Sequence, residues 1–583
     1  MEKWFILNNY ETYKKIASDD NFTDLQKRIL ANRELTSESE KKTIFSNSIE
    51  DLYSPFELKN MKSAIEIFME AIRQRKKILI VGDYDQDGVA ATVILYKAIK
   101  LFYQDVDYAI PDRIEDGYGL NTSIVEKAKE DGYELIITCD NGIAAFEAVK
   151  FSKDLGMTVI VTDHHEPAKK DGKDLFVDAD AIINPHLQDD HSSFKEICGA
   201  SVAFKFVLGL TEMYGHSLGI DKNYIYKLSQ FAALGTISDM MPLVDENRIL
   251  VRHGLELLSK RENLGVKALL EELQWDKDVS VYTVGFLIGP SVNSSGRLYT
   301  ARLGVELFID KDINNVKEYA KTLVELNNER KQLTNEAIDI AIKRIEDEKL
   351  YNNDIIVLYE KSIHESICGL VAGRIKDKYN RPTIILTSSS KDDIIKGSGR
   401  SIPSYNMFEE LNEIRDIFEA FGGHAMACGL SIDPKKLDEF SRLLNDKSKL
   451  KEEDFIKEVN IDDLLTFNII NRNMIKEIDQ LRPFGLGFAE PIFASRNVEV
   501  IDVKILGQNR NVLKLILRDK NNTLEAIAFN LESLYEKFED KYNFTSKEDL
   551  LLLKNKNVDI VYKLTINEFM GQSNIQLNIV TMR

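Results

Sequence analysis

Between about residues 77 and 245, short apolar runs alternate with amphipathic stretches: KKILIVGDYD, ATVILYKAIKLFY, YELIITCDNG, AAFEAVKFSKDLG, MTVIVTDHHEP and ADAIINPH. This alternation predicts β-α-β units around a parallel sheet. Acidic residues stand at the carboxyl ends of the apolar runs. In open α/β sheets ligands bind in the crevice beyond those ends, so Asp83, Asp140 and Asp163 are expected at one shared site. Any one of them alone reads better as a helix N-cap.

From about Asn314 to Lys349 apolar residues recur at three- and four-residue spacing without Pro or Gly, which predicts one long helix or two in series, a spine between domains. A second alternating region follows: NDIIVLYE, a helix over Ser366 to Tyr379, RPTIILTSS, IIKGSGRS, and a helix and turn around IRDIFEAFGGHAMACGLSI. After the turn-rich LRPFGLGFAEP come five β-like runs, which suggest a small barrel of the OB type. The expected organisation is α/β with an N-terminal extension (1–50), a parallel-sheet domain (51–310), a connecting helix (311–350), a smaller α/β domain (351–455) and an OB-like β-barrel (456–583).

A chain of 583 residues, 44% of them apolar, has material for several cores, and its net charge of −19 argues against coating nucleic acid with a uniformly basic surface. It leaves room for a local basic channel or for a carboxylate cluster that holds metal. Cys139, Cys198, Cys368 and Cys428 form no Cys-x-x-Cys pair, so neither a zinc ribbon nor a disulfide framework is indicated. MEKWFILNNYETYKK lacks a basic segment followed by an apolar core, and no apolar run approaches the roughly 18 residues of a membrane span. A cytoplasmic protein without membrane attachment is expected.

The densest chemistry lies in VGDYDQDGVAAT, where Asp83, Asp85 and Asp87 alternate before a glycine and a helix. Carboxylates packed this closely repel one another, and divalent cations offset the repulsion. The segment is not an EF-hand, because Ile94 stands where that loop needs a bidentate Glu. Asp140 in IITCDNG, Asp163, His164 and His165 in VIVTDHHEP, and Asp239 in LGTISDMMPL extend the set. Imidazole mixed with carboxylate suits Mn²⁺, Fe²⁺ or Zn²⁺ better than Ca²⁺, and the surplus of carboxylates favours Mn²⁺ or Mg²⁺ over Zn²⁺. Ser238 lies nearby, but no Gly-x-Ser-x-Gly elbow supports a serine nucleophile.

GDYDQDG, CDNG, TDHHEP and GTISDMMPL resemble the four successive motifs of the DHH phosphoesterase superfamily, and their order and spacing resemble its RecJ branch of 5′-to-3′ exonucleases specific for single strands. The resemblance continues through NSSGRL, LNNER, HESICGLVAGRI, GSGRSIPSYN, FGGHAMACGL and LRPFGLGFAEPIF, covering nearly the whole chain from about residue 50. Gln86, Ser294 and Phe488-Ala489 depart from the family pattern, and none of them removes a metal ligand.

The resemblance implies a DHH catalytic domain, a DHH-associated domain and an OB-fold. It implies that Asp85, Asp87, Asp140, His164 and Asp239 hold two metal ions, Mn²⁺ ahead of Mg²⁺, with Asp140 bridging and catalytic. Asp83 is either a further ligand or orients the loop. His165 is expected to face the scissile phosphate. Ser398, Arg400, Ser401 and His424 resemble phosphate-binding elements, and Arg297, Arg113 and Tyr118 are further candidates for substrate contact, Tyr118 by stacking. The implied substrate is single-stranded DNA, in repair and recombination, with a helicase and a single-strand-binding protein as candidate partners. The alternatives are a DHH-family oligoribonuclease or cyclic-dinucleotide phosphodiesterase, against which Val81 replaces their usual His, and a non-catalytic scaffold, for which eroded ligands are expected.

Overall fold

The structure is a computed structural model that describes residues 2–46, 48–113, 117–389, 394–507, 509–569 and 571–583. It divides into two compact units, one formed by Tyr53–Asp239 with Gly254–Lys457, the other by Glu2–Leu52, Met240–His253 and Glu458–Arg583. Among the described residues no helix is long and apolar enough to cross a membrane.

The first unit opens on a five-stranded parallel sheet ordered Val106–Ala109, Ile78–Val81, Leu135–Cys139, Thr158–Thr162 and Ala181–Ile183. Ile78–Val81 and Leu135–Cys139 are buried along their whole lengths, which is why those runs lack polar alternation. In chain order the sheet runs 2-1-3-4-5, so the order reverses between Ile78–Val81 and Leu135–Cys139. The crevice at that switch point is where a doubly wound sheet receives its ligand.

The spine is a single helix, Ile313–Asp347, whose 35 residues span about 50 Å at 1.5 Å per residue. Its first half buries Val316, Ala320 and Leu323, and its second half puts Ala337, Ala341 and Ile345 into a core with Ile356, Leu358 and Val371. One rod thus carries apolar stripes for two successive sets of elements.

The smaller sheet is ordered Phe418–His424, Ala427–Ile432, Ile395–Arg400, Thr383–Ser388 and Ile356–Tyr359, with the last two strands parallel and the other pairs antiparallel. The helix and turn expected around IRDIFEAFGGHAMACGLSI are instead a β-hairpin. Phe418 stacks on Phe421 at 5.1 Å and packs into the core with Leu430 and Ile432, while Gly423, at φ 151, takes a conformation open to glycine. Sheet packing of these aromatics overrode the apparent helical spacing.

In the second unit Phe493–Leu506, Val512–Asp519, Asn522–Ala528, Gln572–Met582 and Asn557–Phe569 close into a five-stranded barrel, because the long first strand pairs with both Val512–Asp519 and Asn557–Phe569. This is the expected OB-like barrel. Residues 2–52 are not a free extension: Ile16, Leu25, Ile29 and Ile44 share one apolar core with the barrel residues Phe493, Leu515 and Tyr562.

Candidate metal centre

The first helix past the switch point, Gln86–Ile99, is N-capped by Asp85, whose Oδ1 accepts the N–H groups of Asp87 and Gly88 at 2.8 and 3.1 Å. Asp87 is fixed by a second helix: the N–H groups of Gly199 and Ala200, opening helix Gly199–Leu218, donate to its Oδ2 and Oδ1 at 2.7 and 3.0 Å. Two glycines make room for the acids. A Cβ on Gly235 would lie 2.1 Å from Asp87 Oδ1, and one on Gly199 would lie 2.4 Å from Asp140 Oδ1. Asp140 itself sits in the left-handed region, at φ 62, immediately after its strand.

Three overlapping groups place their ligand atoms within 4.8 Å of one another: Asp83, Asp85 and Asp140; Asp87, His164 and Asp239; Asp140, His164 and His165. Nε2 of His164 stands 3.1 Å from Asp140 Oδ1, 3.7 Å from Asp239 Oδ2 and 3.8 Å from Asp87 Oδ2. The first of these distances lacks hydrogen-bond geometry, so Oδ1 of Asp140, like Oδ1 of Asp83, is buried without a hydrogen-bond partner. Asp239, at the C-terminus of helix Ser229–Ser238, closes the set.

The electrostatics show what such a cluster demands. Burial, then neighbouring carboxylates, push Asp83 and Asp140 well above the usual carboxylate range, and the same causes push Asp239 up to about 8. Burial lowers His164 to about 4, which keeps it neutral and able to donate a lone pair. Acids crowded to the point of resisting ionisation, beside a neutral imidazole and orphaned buried oxygens, are a donor set that fits divalent cations. Asp85, Asp87, Asp140, His164 and Asp239 face this space, with Asp83 beside them.

His165 differs from its neighbour. Its Nδ1 lies 2.8 Å from Asp163 Oδ1, and although burial opposes the charge, Asp163 carries it up to about 9. Asp163 also accepts the N–H groups of Ile143, His164 and His165 at 2.9, 2.7 and 3.1 Å. Burial favours its protonation, but His165 and these hydrogen bonds hold its carboxyl below the ordinary value. The hydroxyl of Tyr118 donates to the Asp140 carbonyl at 2.8 Å and lies 3.2 Å from His165 Nε2. Tyr118 is therefore tied into the centre, its ring edge-on to His165.

A cleft of about 210 Å³ within the same unit is lined by Tyr84, Arg113, Tyr118, Ser366, Lys396 and Ser431. Arg113 lies over the Tyr84 ring at 5.0 Å, and Arg297 Nη1 donates to the Ser366 carbonyl at 2.6 Å. Burial, with Arg113 and Arg330 close by, lowers Arg297 to about 9, and burial with Arg113 lowers Arg400 as well. A basic group thus stands near the acidic one. Arg400 pairs across the sheet with Ala427, which pairs with His424, and Ser398 pairs with Gly429 two rows along. His424 is exposed, and its Nδ1 accepts the Met426 N–H at 3.3 Å. Ser401 is not gathered with these: it is buried and its hydroxyl donates to the Tyr405 carbonyl at 2.6 Å.

Several positioning groups lay outside the sequence-based set. Asn141 is fully buried, donating to the Val81 and Cys139 carbonyls at 3.0 and 2.9 Å and accepting the Leu120 N–H at 3.1 Å, so it fastens the Tyr118 loop to the sheet. The Gly199 and Ala200 amides gave no stronger signal than a Cys-Gly-Ala ahead of an apolar helix. Gln86 is fully buried, and its side-chain amide finds no hydrogen-bond partner.

Family models match the chain in three places: the DHH family N-terminal domain at residues 77–236, the DHHA1 domain at 352–449 and the RecJ OB domain at 461–581. The single-stranded-DNA-specific exonuclease RecJ of Bacillus subtilis is 34% identical over 569 residues, covering 97% of this chain and 69% of that protein. The Haemophilus influenzae protein of the same name is 35% identical over 552 residues, covering 91% and 92%. Among solved structures, RecJ from Thermus thermophilus in complex with Mn²⁺ superposes with a TM-score of 0.80 at 24% identity, over 100% of this chain and 79% of that one. An exonuclease RecJ bound to manganese gives a TM-score of 0.56 at 29% identity, over 67% and 94%. With its three domains matched in order and its identity to full relatives above 30%, the chain belongs to the RecJ family of single-stranded-DNA-specific exonucleases.

Proposed function

We propose that this protein hydrolyses single-stranded DNA stepwise from the 5′ end, using two divalent cations, Mn²⁺ ahead of Mg²⁺, held by Asp85, Asp87, Asp140, His164 and Asp239. The observation that carries this reading is the buried, mutually repelling carboxylate cluster at the switch point with two orphaned oxygens, beside a cleft lined by Arg113 and Lys396. When bound, the ions supply Lewis acidity that neutralises charge on the phosphodiester and acidifies water.

The chain's own residues do the rest. Asp140, a member of two of the three ligand groups, would help to hold both ions, and Asp83 would add negative charge at one edge. Asp163 keeps His165 protonated, so the imidazolium can donate a hydrogen bond to a phosphate oxygen and a proton to the leaving oxygen. Arg113, Arg297 and Arg400 hold neighbouring phosphates, with His424 in the sheet row of Arg400 and Ser398 two rows along. Tyr118 orients His165 and presents its ring to the strand. The setting is DNA repair and recombination in the cytoplasm, where a helicase and a single-strand-binding protein would supply and cover the substrate.

Digestion of end-labelled single strands with free and blocked 5′ ends, in Mn²⁺ and in EDTA, tests the reading. The expected result is metal-dependent release of nucleotides from free 5′ ends. Loss from blocked 5′ ends at an equal rate, or activity surviving EDTA, overturns it.

A further inference from the structure

A continuous helical rod runs from Val281 to Leu298, with a π-helical segment at Val284–Ile288. Such segments are frequent at functional sites. Gly285 and Gly289 bring the rod against the helix that ends at Asp239: a Cβ at Gly285 would meet Ile237 at 3.9 Å, and one at Gly289 would meet the Ser238 hydroxyl at 2.8 Å. The residues at this contact are thus the two immediately before a candidate metal ligand.

At the start of the rod Tyr282 and Phe286 stack on each other, ring centroids 4.9 Å apart and planes 22° apart, while remaining 57% and 63% exposed. Single exposed apolar residues are ordinary. This pair is placed otherwise. Tyr282 and Phe286 are exposed, and Asn293 and Arg297 farther along the same rod are half-buried. Asn293 bonds the Gln86 N–H in the metal loop, and Arg297 reaches the arginine group. Phe286 precedes Asn293 by seven residues, about 10 Å of helix.

We propose that Tyr282 and Phe286 form a stacking platform for a nucleobase of the bound single strand, fixing its path a short distance from the hydrolytic centre. Every base has a π-face, so such a contact holds a strand without reading its sequence. It also suits a chain of net charge −19, which cannot attract a polyanion through its overall field. The two rings are pre-stacked on a rigid rod, so little ordering is needed when a base adds to the pile.

This inference rests on the single-strand nuclease reading, and the experiment separates the two. Steady-state hydrolysis of 5′-labelled strands is compared for wild type, the Tyr282→Ala/Phe286→Ala double variant, the Tyr282→Leu/Phe286→Leu double variant and Phe286→Trp, with thermal melting and Mn²⁺ content measured on each. Both double variants are expected to raise KM about tenfold, since stacking is worth roughly 1–3 kcal/mol per base. Their kcat and metal content should stay near wild type, and Phe286→Trp should keep a wild-type KM. In a scan of strands carrying one abasic site, wild type should lose affinity at a discrete position and the alanine variant should not. A wild-type KM in a folded alanine variant overturns the proposal. So does full function in the leucine variant, which marks a merely apolar surface. A change from dimer to monomer in sedimentation with KM unaltered also overturns it, as an interface between copies. Wild-type protein that cuts no strand overturns the nuclease reading itself.

Discussion

The side-chain oxygen of Asn293 accepts the backbone N–H of Gln86 at 2.6 Å, tying the helix Gly289–Leu298 to the first turn of the helix that carries the metal loop. Close approach reinforces the tie, because a Cβ on Gly296 would stand 2.6 Å from the Tyr84 carbonyl. Asp85 caps Asp87 and Gly88 through Oδ1 alone, and Asn293 serves the remaining N–H. The cap therefore engages only one of the two oxygens of Asp85.

Asn293→Ala should weaken Mn²⁺ binding about tenfold, the low end for groups that orient metal ligands. Titrating activity with Mn²⁺ should show the loss at limiting metal and its recovery at excess. A loss that saturating metal cannot restore would place Asn293 in the substrate path instead.

Asp140→Asn should abolish hydrolysis while raising the melting temperature in EDTA. The carboxylate is held against burial and like-charge neighbours, so neutralising it relieves repulsion that cations otherwise relieve. Asn tolerates the left-handed φ of 62 where Ala would be strained, which keeps the comparison free of backbone cost. In Mn²⁺ the variant should lose that advantage.

Asp163→Asn should move the alkaline limb of the pH–rate profile downward. With Asp163 beside it His165 titrates at about 9, and without that partner its proton leaves nearer the ordinary histidine value. His165→Ala should cut kcat about a hundredfold or more while retaining metal, as expected for a lost proton donor. Metal loss in that variant would make His165 a ligand.

Metal-free protein should lose stability as pH rises from about 6.5 to 8. In that window folded His165, raised to about 9, and folded Asp239, raised to about 8, bind more protons than they do in the unfolded chain. Excess protons on the folded state make stability fall with rising pH. His164, lowered to about 4, opposes this slope mainly below the ordinary histidine value of about 6.5, and its opposition fades across the lower part of the window. Saturating Mn²⁺ should flatten or reverse the slope, because it binds the deprotonated carboxylates. Melting curves at several pH values with EDTA or Mn²⁺ decide this.

Arg400→Ala should raise KM about tenfold without altering Mn²⁺ content, as for a lost charge-assisted phosphate contact. The guanidinium lies against Gly369 and donates to the Gly399 carbonyl, so it belongs to the smaller sheet and not to the acidic cluster. Elemental analysis alongside kinetics separates the two roles.

The amino-acid sequence by itself determined the parallel sheet, the spine and the barrel, because each rests on a local period: unbroken apolar runs, three- and four-residue spacing, and alternating β runs. It also named the acids and the paired histidines, since their chemistry is written in residue type. Tertiary structure alone decided what depends on distant segments meeting. His164 and His165 are adjacent in the chain, yet one is lowered to about 4 by burial and the other raised to about 9 by Asp163. The Asp87 carboxylate waits on amides 112 and 113 residues away, and Gln86 on an Asn 207 residues away. The hairpin at Phe418–Ile432 has the local spacing of a helix and turn, but its aromatics answer to a sheet core that no local window contains. A pKa and a hydrogen-bond partner are properties of surroundings, and the fold supplies those surroundings.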